Sequence, residues 1–312
     1  LLVTILLYWL ILKINQWLEK SEKRTHLLFQ DLRYGESRQK ERLQSLEQSA
    51  GGYSKMIFDS HAHYDDKMFD ADRDLLLHSL REGGVDYVID CGSDLTSSDK
   101  AIELAARYDF IYAAVGVHPE AVKGLEVEDA SRIYNLAESS DKVVAIGEIG
   151  LDYHYKENAP AQEQQEWFIE QIELAKELEL PIIVHSRDAA QDTYDILEQY
   201  DGGMFGGVLH SYTGAPEMAK AYVEMGFYLG IGGMVTFQNA KRVAATVEAI
   251  PLEHLLIETD SPYLAPVPMR GKRNDSRNLR YITERIARIK QISPEEVARV
   301  TSENAKKLFG IQ

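Results

Sequence analysis

Met56-Ile-Phe-Asp-Ser-His-Ala-His-Tyr-Asp65 reads as a buried strand that ends in two imidazoles. Side chains two apart on a strand share a face, so His61 and His63 reach one point in space if that face looks into a barrel. The bland alternative is a histidine pair on a solvated strand. What stands at the ends of the other strands decides between them.

From Met56 onward, short β-branched runs alternate with amphipathic helical stretches, the pattern of a parallel sheet with crossover helices. The predicted strands are Ile57–His61, Tyr87–Cys91, Ile111–Val117, Val143–Ile149, Pro181–His185, Gly207–His210, Phe227–Ile231 and Leu255–Asp260. Helices are predicted near Asp72–Glu82, Ser97–Tyr108, Asp129–Ser139, Ala161–Leu180, Asp188–Tyr200, Pro216–Met225, Asn239–Ala249 and Asn278–Lys290, with a last one over Pro294–Leu308. Ser293, Pro294 and Glu295-Glu296 supply an N-cap, a first-position proline and first-turn acids. Within Ala161–Leu180, Trp167, Ile169, Ile172, Leu174, Ala175 and Leu178 fall at helical spacing, and the Glu and Gln residues read as a solvated face. Eight strand–helix units over residues 56–312 match an α/β fold of the (β/α)8 TIM barrel type with an extra C-terminal helix. An open doubly wound sheet is the alternative, but no Gly-rich dinucleotide fingerprint follows the first strand.

Residues 1–55 read as a separate, non-barrel N-terminal extension of helical character. An apolar run, Leu1–Leu12, is interrupted by Lys13 and followed by polar, charge-rich sequence as far as Gly51-Gly52. Twelve residues fall short of the roughly 20 that span a bilayer, and the start lacks the basic region of a signal peptide. The favoured reading is a non-native extension ahead of a natural start at Met56. A membrane-associated or partner-binding helix, or a helical appendage packed on the barrel, is the alternative.

Composition sets further bounds. The 312 residues are 45% hydrophobic and 27% charged, enough for a large core. The single cysteine, Cys91, excludes an intrachain disulfide and leaves the cytoplasm as the default compartment. A formal charge of −16 excludes a broad basic surface that grips nucleic acid. It leaves room for a nucleic-acid substrate met locally by metal ions and a few Arg or Lys residues. No stable protein partner is implied.

In such a barrel the active site lies at the C-terminal ends of the strands. There stand His61 and His63, His118 and Glu120, Glu148 and Asp152, His185 and Arg187, His210, and Glu258 and Asp260. Five of the nine histidines fall on this rim. Buried polar groups need partners, and a shared metal site satisfies them together. The predicted ligands are His61, His63, Glu148, His185, His210 and Asp260, an N/O set suited to Zn²⁺, Mn²⁺ or Mg²⁺. Six ligands exceed the needs of one catalytic ion, so two divalent ions bridged by Glu148 are expected.

These residues stand in motifs that resemble the TatD-type metal-dependent deoxyribonucleases of the amidohydrolase-like superfamily. They are Asp59-Ser-His-Ala-His-Tyr-Asp65, Gly116-Val-His-Pro-Glu120, Ile146-Gly-Glu-Ile-Gly-Leu-Asp-Tyr153, Pro181-Ile-Ile-Val-His-Ser-Arg187, His210-Ser-Tyr-Thr-Gly214, Glu258-Thr-Asp-Ser-Pro-Tyr-Leu-Ala-Pro266 and Arg270-Gly-Lys-Arg-Asn274. They follow in order across residues 56–312. Departures are modest: Ala62 and Ser211 replace a common Cys, Tyr64 and Tyr212 a Leu and a Phe, and Asp275-Ser276 an acid and a Pro. The resemblance implies the same six ligands and hydrolysis of DNA phosphodiesters from the 3′ end, a 3′-5′ exodeoxyribonuclease with DNA as its partner.

Catalytic roles are expected for Asp260, which would orient or deprotonate the attacking water, and for Glu148. Arg187 is the candidate phosphate clamp, His118 and His154 candidates for positioning substrate or protonating the leaving oxygen, and Tyr153, with Tyr155, a candidate base stacker. Lys272 and Arg273 are either a basic patch at the mouth or a solvated loop. Cys91 reads as a small buried hydrophobe, and His78 and His254 as structural or surface residues. Two other functions fit the same residues: a metal-dependent amide or ester hydrolase, acting on a small substrate or an aminoacyl-tRNA ester, and a membrane-associated scaffold anchored by residues 1–55. Many amide-hydrolysing relatives bridge their ions with a carboxylated Lys on strand four, where Glu148 stands here.

Overall fold

The computed structural model describes residues 57–312. The expectations for residues 1–55, and for Met56 as a start, lie outside the described residues. The strands are β1 (Ile57–Ala62), β2 (Val85–Cys91), β3 (Ile111–Val115), β4 (Val143–Asp152), β5 (Ile182–Arg187), β6 (Gly207–Leu209), β7 (Phe227–Ile231) and β8 (Leu255–Ile257). The helices are α1 (Arg73–Glu82), α2 (Leu95–Arg107), α3 (Val127–Glu138), α4 (Ala161–Glu177), α5 (Ala190–Gln199), α6 (Pro216–Glu224), α7 (Lys241–Ala249), α8 (Leu279–Lys290) and α9 (Pro294–Phe309). The strands pair in parallel in chain order, each neighbour joined by a helical crossover, so the predicted TIM barrel is the fold.

Closure of the barrel takes place at the level of the site. Ala62 bridges Ser261 in parallel, Asp260 N–H donates to His61 O at 3.0 Å and His63 N–H to Ser261 O at 2.7 Å. Strand eight ends three residues short of the prediction, and beyond it Asp260 adopts a left-handed conformation, φ 57°. Asp59 reinforces the seam from within. Its fully buried carboxylate accepts hydrogen bonds from Thr259 N–H (2.9 Å) and from the Thr259 and Ser276 hydroxyls, each at 2.6 Å.

Two apolar layers hold the barrel. Between sheet and helices, α8 presents Leu279, Ile282 and Ile286, and α4 presents Phe168, Ile172 and Ala175, each set on one helical face. Inside, Phe58, Ile89, Val144, Ile183 and Leu256 form a floor against Leu308 and Phe309 of α9, so the extra helix closes the N-terminal end. The predicted capping of α9 is present: Glu296 N–H donates to Ser293 Oγ at 3.1 Å. With this end filled, open space in the barrel axis lies at the C-terminal ends of the strands.

The solvated reading of the glutamines on α4 is corrected. Gln164 and Gln171 are buried because an amide, donor and acceptor at once, satisfies both backbone groups of a residue leaving a strand. Gln164 accepts from Asp152 N–H (2.9 Å) and donates to Asp152 O (3.0 Å) and Ala159 O (2.8 Å). Gln171 accepts from Val117 N–H (2.7 Å) and donates to Val117 O (3.1 Å). The two amides pin the outgoing ends of β4 and β3.

Burial pushes the Asp59 carboxyl from 3.8 up to about 7, outweighing its Ser276 and Thr259 hydrogen bonds. Between those values the folded state holds a proton that the unfolded state has lost, so this group's contribution to stability falls as pH rises through the window. Urea titrations across it should show the wild type losing stability relative to Asp59→Asn as pH rises, and a difference independent of pH would refute the assignment.

Candidate metal centre

The ends of β1, β4, β5, β6 and β8 bring six predicted ligands together. A register shift in β1 between Asp59 and Ala62 lets Phe58 face the apolar floor while His61 and His63 face the site; such bulges re-aim side chains. His61 Nε2 and His63 Nε2 are 3.1 Å apart. Glu148 Oε2 lies 3.3 Å from the first and 3.6 Å from the second, and Asp260 Oδ1 3.7 and 3.4 Å from them. Bonds of about 2.0–2.1 Å place tetrahedral donors roughly 3.3 Å apart, so His61, His63 and Asp260 have the spacing of a shared cation's ligands, with Glu148 Oε2 close to both rings.

The other carboxylate oxygen of Glu148 faces a second group. Oε1 is 2.9 Å from His185 Nδ1 and 3.8 Å from His210 Nε2. Glu148 thus touches both sets, which adjoin each other: His210 Nε2 also lies 3.8 Å from Asp260 Oδ1, and His61, Glu148 and His210 form a compact group. Gly150 lets β4 and β5 approach closely enough for this: at φ 140° it stands where a Cβ would meet His185 O at 2.0 Å.

Outer partners orient the rings, as such partners do around metals. His63 Nδ1–H donates to Cys91 O at 2.7 Å, leaving its Nε2 lone pair to the site. His61 Nδ1 lies 3.4 Å from Cys91 Sγ, so the buried cysteine touches a site histidine while remaining a packed residue. His210 Nδ1 is 3.0 Å from Glu258 Oε1, which also accepts from Ser211 N–H at 2.6 Å. His185 Nε2 is 3.1 Å from Asp152 Oδ2.

The electrostatics call for positive charge. Burial works to raise the Glu148 carboxyl, but His210, His61, His118 and His185 outweigh it and hold it well below the usual range. Burial works against charge on His210, yet Glu258, Glu148 and Asp260 push it up to about 10. His118 differs: burial lowers it to about 3. Its Nδ1 accepts from Glu120 N–H at 3.2 Å, so the neutral ring carries its proton on Nε2, 3.7 Å from Glu148 Oε1. His118 forms a compact group with Glu148 and His185, but that proton makes its Nε2 a donor toward the site rather than a ligand.

A cavity of about 930 Å³ opens above these residues. Arg187, His154 and Tyr155 stand at its mouth. Arg187 Nη1 donates to Tyr155 OH at 3.1 Å, with the guanidinium 4.9 Å over that ring, and it makes no ion pair among the described residues. His154 Nδ1 is 2.8 Å from Asp188 Oδ2. Tyr153 is a correction: alternation along β4 turns it outward, where its hydroxyl donates to Asp192 and accepts from Gln165, each at 2.8 Å. Arg273 is likewise structural, since its two terminal nitrogens donate to Asp72 at 2.7 and 2.6 Å and it packs over Phe69; neither it nor Lys272 lines the cavity.

A family profile described as TatD related DNase matches residues 58–310. The chain belongs to the TatD family. It is 44% identical over 256 residues to the uncharacterized metal-dependent hydrolase YabD of Bacillus subtilis, covering 82% of this chain and 100% of that one. It is 35% identical over 258 residues to the protein named 3′-5′ ssDNA/RNA exonuclease TatD of Cronobacter sakazakii, covering 81% and 97%. Among solved structures, the TatD homolog YJJV of Escherichia coli superposes with a TM-score of 0.77 at 28% identity, covering 82% and 98%. This TatD-family chain is therefore a metal-dependent hydrolase.

Asp152 and Glu258 stand in the sequence motifs with no role expected of them there. Asp152 stands four residues past Glu148 on one strand, and Glu258 two before Asp260; the even spacing that singled out His61 and His63 marks them too. Glu258→Ala leaves His210 Nδ1 and Ser211 N–H without this partner. Urea unfolding should show a loss of roughly 1–3 kcal/mol, and an unchanged midpoint would contradict this role.

Proposed function

We propose that the protein removes nucleotides from the 3′ ends of single-stranded nucleic acid, DNA foremost, using two divalent ions (Mg²⁺, Mn²⁺ or Zn²⁺). The observation that carries this reading is the division of Glu148: one oxygen lies beside His61 and His63, the other beside His185 and His210. Such a carboxylate suits a pair of cations, with His61, His63 and Asp260 holding one, His185 and His210 the other, and Glu148 both. When bound, the ions would supply charge stabilisation to the phosphate and acidify a water.

Charge on the cavity wall favours a phosphodiester over a neutral substrate only with such cations in place. Seven carboxylates line the cavity and Arg187 is its sole Lys or Arg among the described residues. Arg187 is free to meet a phosphate because Tyr155 holds its guanidinium without neutralising it. Asp260 orients the attacking water and takes its proton. His118, with its neutral Nε2–H directed at the site, donates a hydrogen bond that positions the leaving oxygen. His154 helps to position the strand at the rim. The Cronobacter relatives named as 3′-5′ ssDNA/RNA exonucleases support the same substrate class.

Hydrolysis of 3′-labelled single-stranded DNA tests the reading, with a small amide panel alongside. Mononucleotide release should require added metal and vanish with chelator. Asp260→Ala should fold normally by circular dichroism while losing on the order of 10²–10⁴ in turnover, the scale of a lost general base. Hydrolysis of amides but not DNA, or full activity after all metal is stripped, would overturn the proposal.

A further inference from the structure

Resting on that single-strand reading, we infer that Tyr263 is the platform on which the terminal nucleobase stacks. Tyr263 lies just beyond β8, three residues past Asp260, and lines the cavity. It is held at both ends: its N–H donates to Asp260 O at 2.7 Å and its hydroxyl to Asp66 Oδ2 at 2.8 Å. Yet the side chain is 48% exposed. Its ring centre lies 6.4 Å from that of His63 with the planes 62° apart, an edge contact beside the proposed ligands. Among the described residues, no cation and no other aromatic ring packs on it.

The second exposed tyrosine at the mouth is differently placed. Tyr155 carries the Arg187 guanidinium over its ring at 4.9 Å and meets His154 edge-on at 4.9 Å. It organises a cation and is already covered. Tyr263 instead continues into Leu264, with Met234 also on the cavity wall, an apolar ledge in a wall otherwise rich in carboxylates and imidazoles. An aromatic ring fixed at its tip has little ordering left to lose when a base lies on it.

Every base has a π-face, so stacking on such a ring is tolerant of sequence and indifferent to the sugar, but it requires an unpaired base. The substrate class is thus an unpaired 3′ terminus, DNA or RNA, held by its last base on Tyr263 with the adjoining phosphodiester at the metal centre.

The test compares kcat/KM for a single-stranded oligonucleotide with that for the same strand ending in an abasic residue. The wild type should favour the base-bearing end roughly tenfold, within the range of base–aromatic stacking. That ratio should persist in Tyr263→Phe and fall toward one in Tyr263→Ala. Binding gives a readout independent of turnover: a strand with 3′-terminal 2-aminopurine behind a phosphorothioate linkage should be quenched by wild type and Tyr263→Phe but not by Tyr263→Ala. A ratio and quenching unchanged in Tyr263→Ala overturn the inference and leave the nuclease reading standing. Failure of the wild type to cleave any strand overturns that reading and the inference with it.

Discussion

The burial of one carboxylate, Glu148, among five imidazoles is the constraint on which the site depends. An isolated charge in such a place is strongly unfavourable, and only positive charge on both of its oxygens offsets the loss of water. Imidazolium and divalent cations both meet that need, and the donor spacings suit the latter. The surrounding carboxylates of Asp260, Glu258 and Asp152 extend the same logic outward, each paired with a histidine.

Much of the fold serves to hold that arrangement. The floor of the barrel is filled by α9, so the polar groups gather at the opposite end. The seam between β1 and the chain after β8 runs through His61, His63 and Asp260 themselves, which makes barrel closure and assembly of the first group of donors one event. Gln164 and Gln171 fix the strand ends from the helical layer. Left-handed conformations at Asp260 and Ser211, φ 57° and 47°, cost each residue on the order of 1–3 kcal/mol and persist because hydrogen bonds to His61 O and Glu258 Oε1 hold both backbones.

Alternating β-branched runs and helical periodicity sufficed to read the barrel, and β7 has its predicted bounds because Gly226 and Gly232 bracket an apolar run. The gathering of the six candidate donors was equally readable, since each stands at or near the C-terminal end of its strand. Strand ends were less so: Gly150, at a positive φ, lets β4 run on to Asp152, and β8 stops at Ile257 although Asp260 and Ser261 still pair with β1, local detail that periodicity does not encode. Gln164 and Gln171 escaped because a glutamine on a coat helix looks solvated until the backbone groups it satisfies are in place. Tyr153 was misjudged by one step of strand alternation. Tyr263 was passed over because a tyrosine in a loop carries no signal of its own until Asp66 is seen to pin it beside His63. No helix among the described residues is long and apolar enough to cross a membrane.

The most direct test of the account is the metal stoichiometry of the wild type and Glu148→Gln, measured by titration calorimetry with Mn²⁺ and by elemental analysis after dialysis. A carboxylate shared between two groups of donors predicts two equivalents for the wild type and at most one, weakly held, for the variant. Two equivalents retained by Glu148→Gln, or a wild type that takes up none, would contradict it.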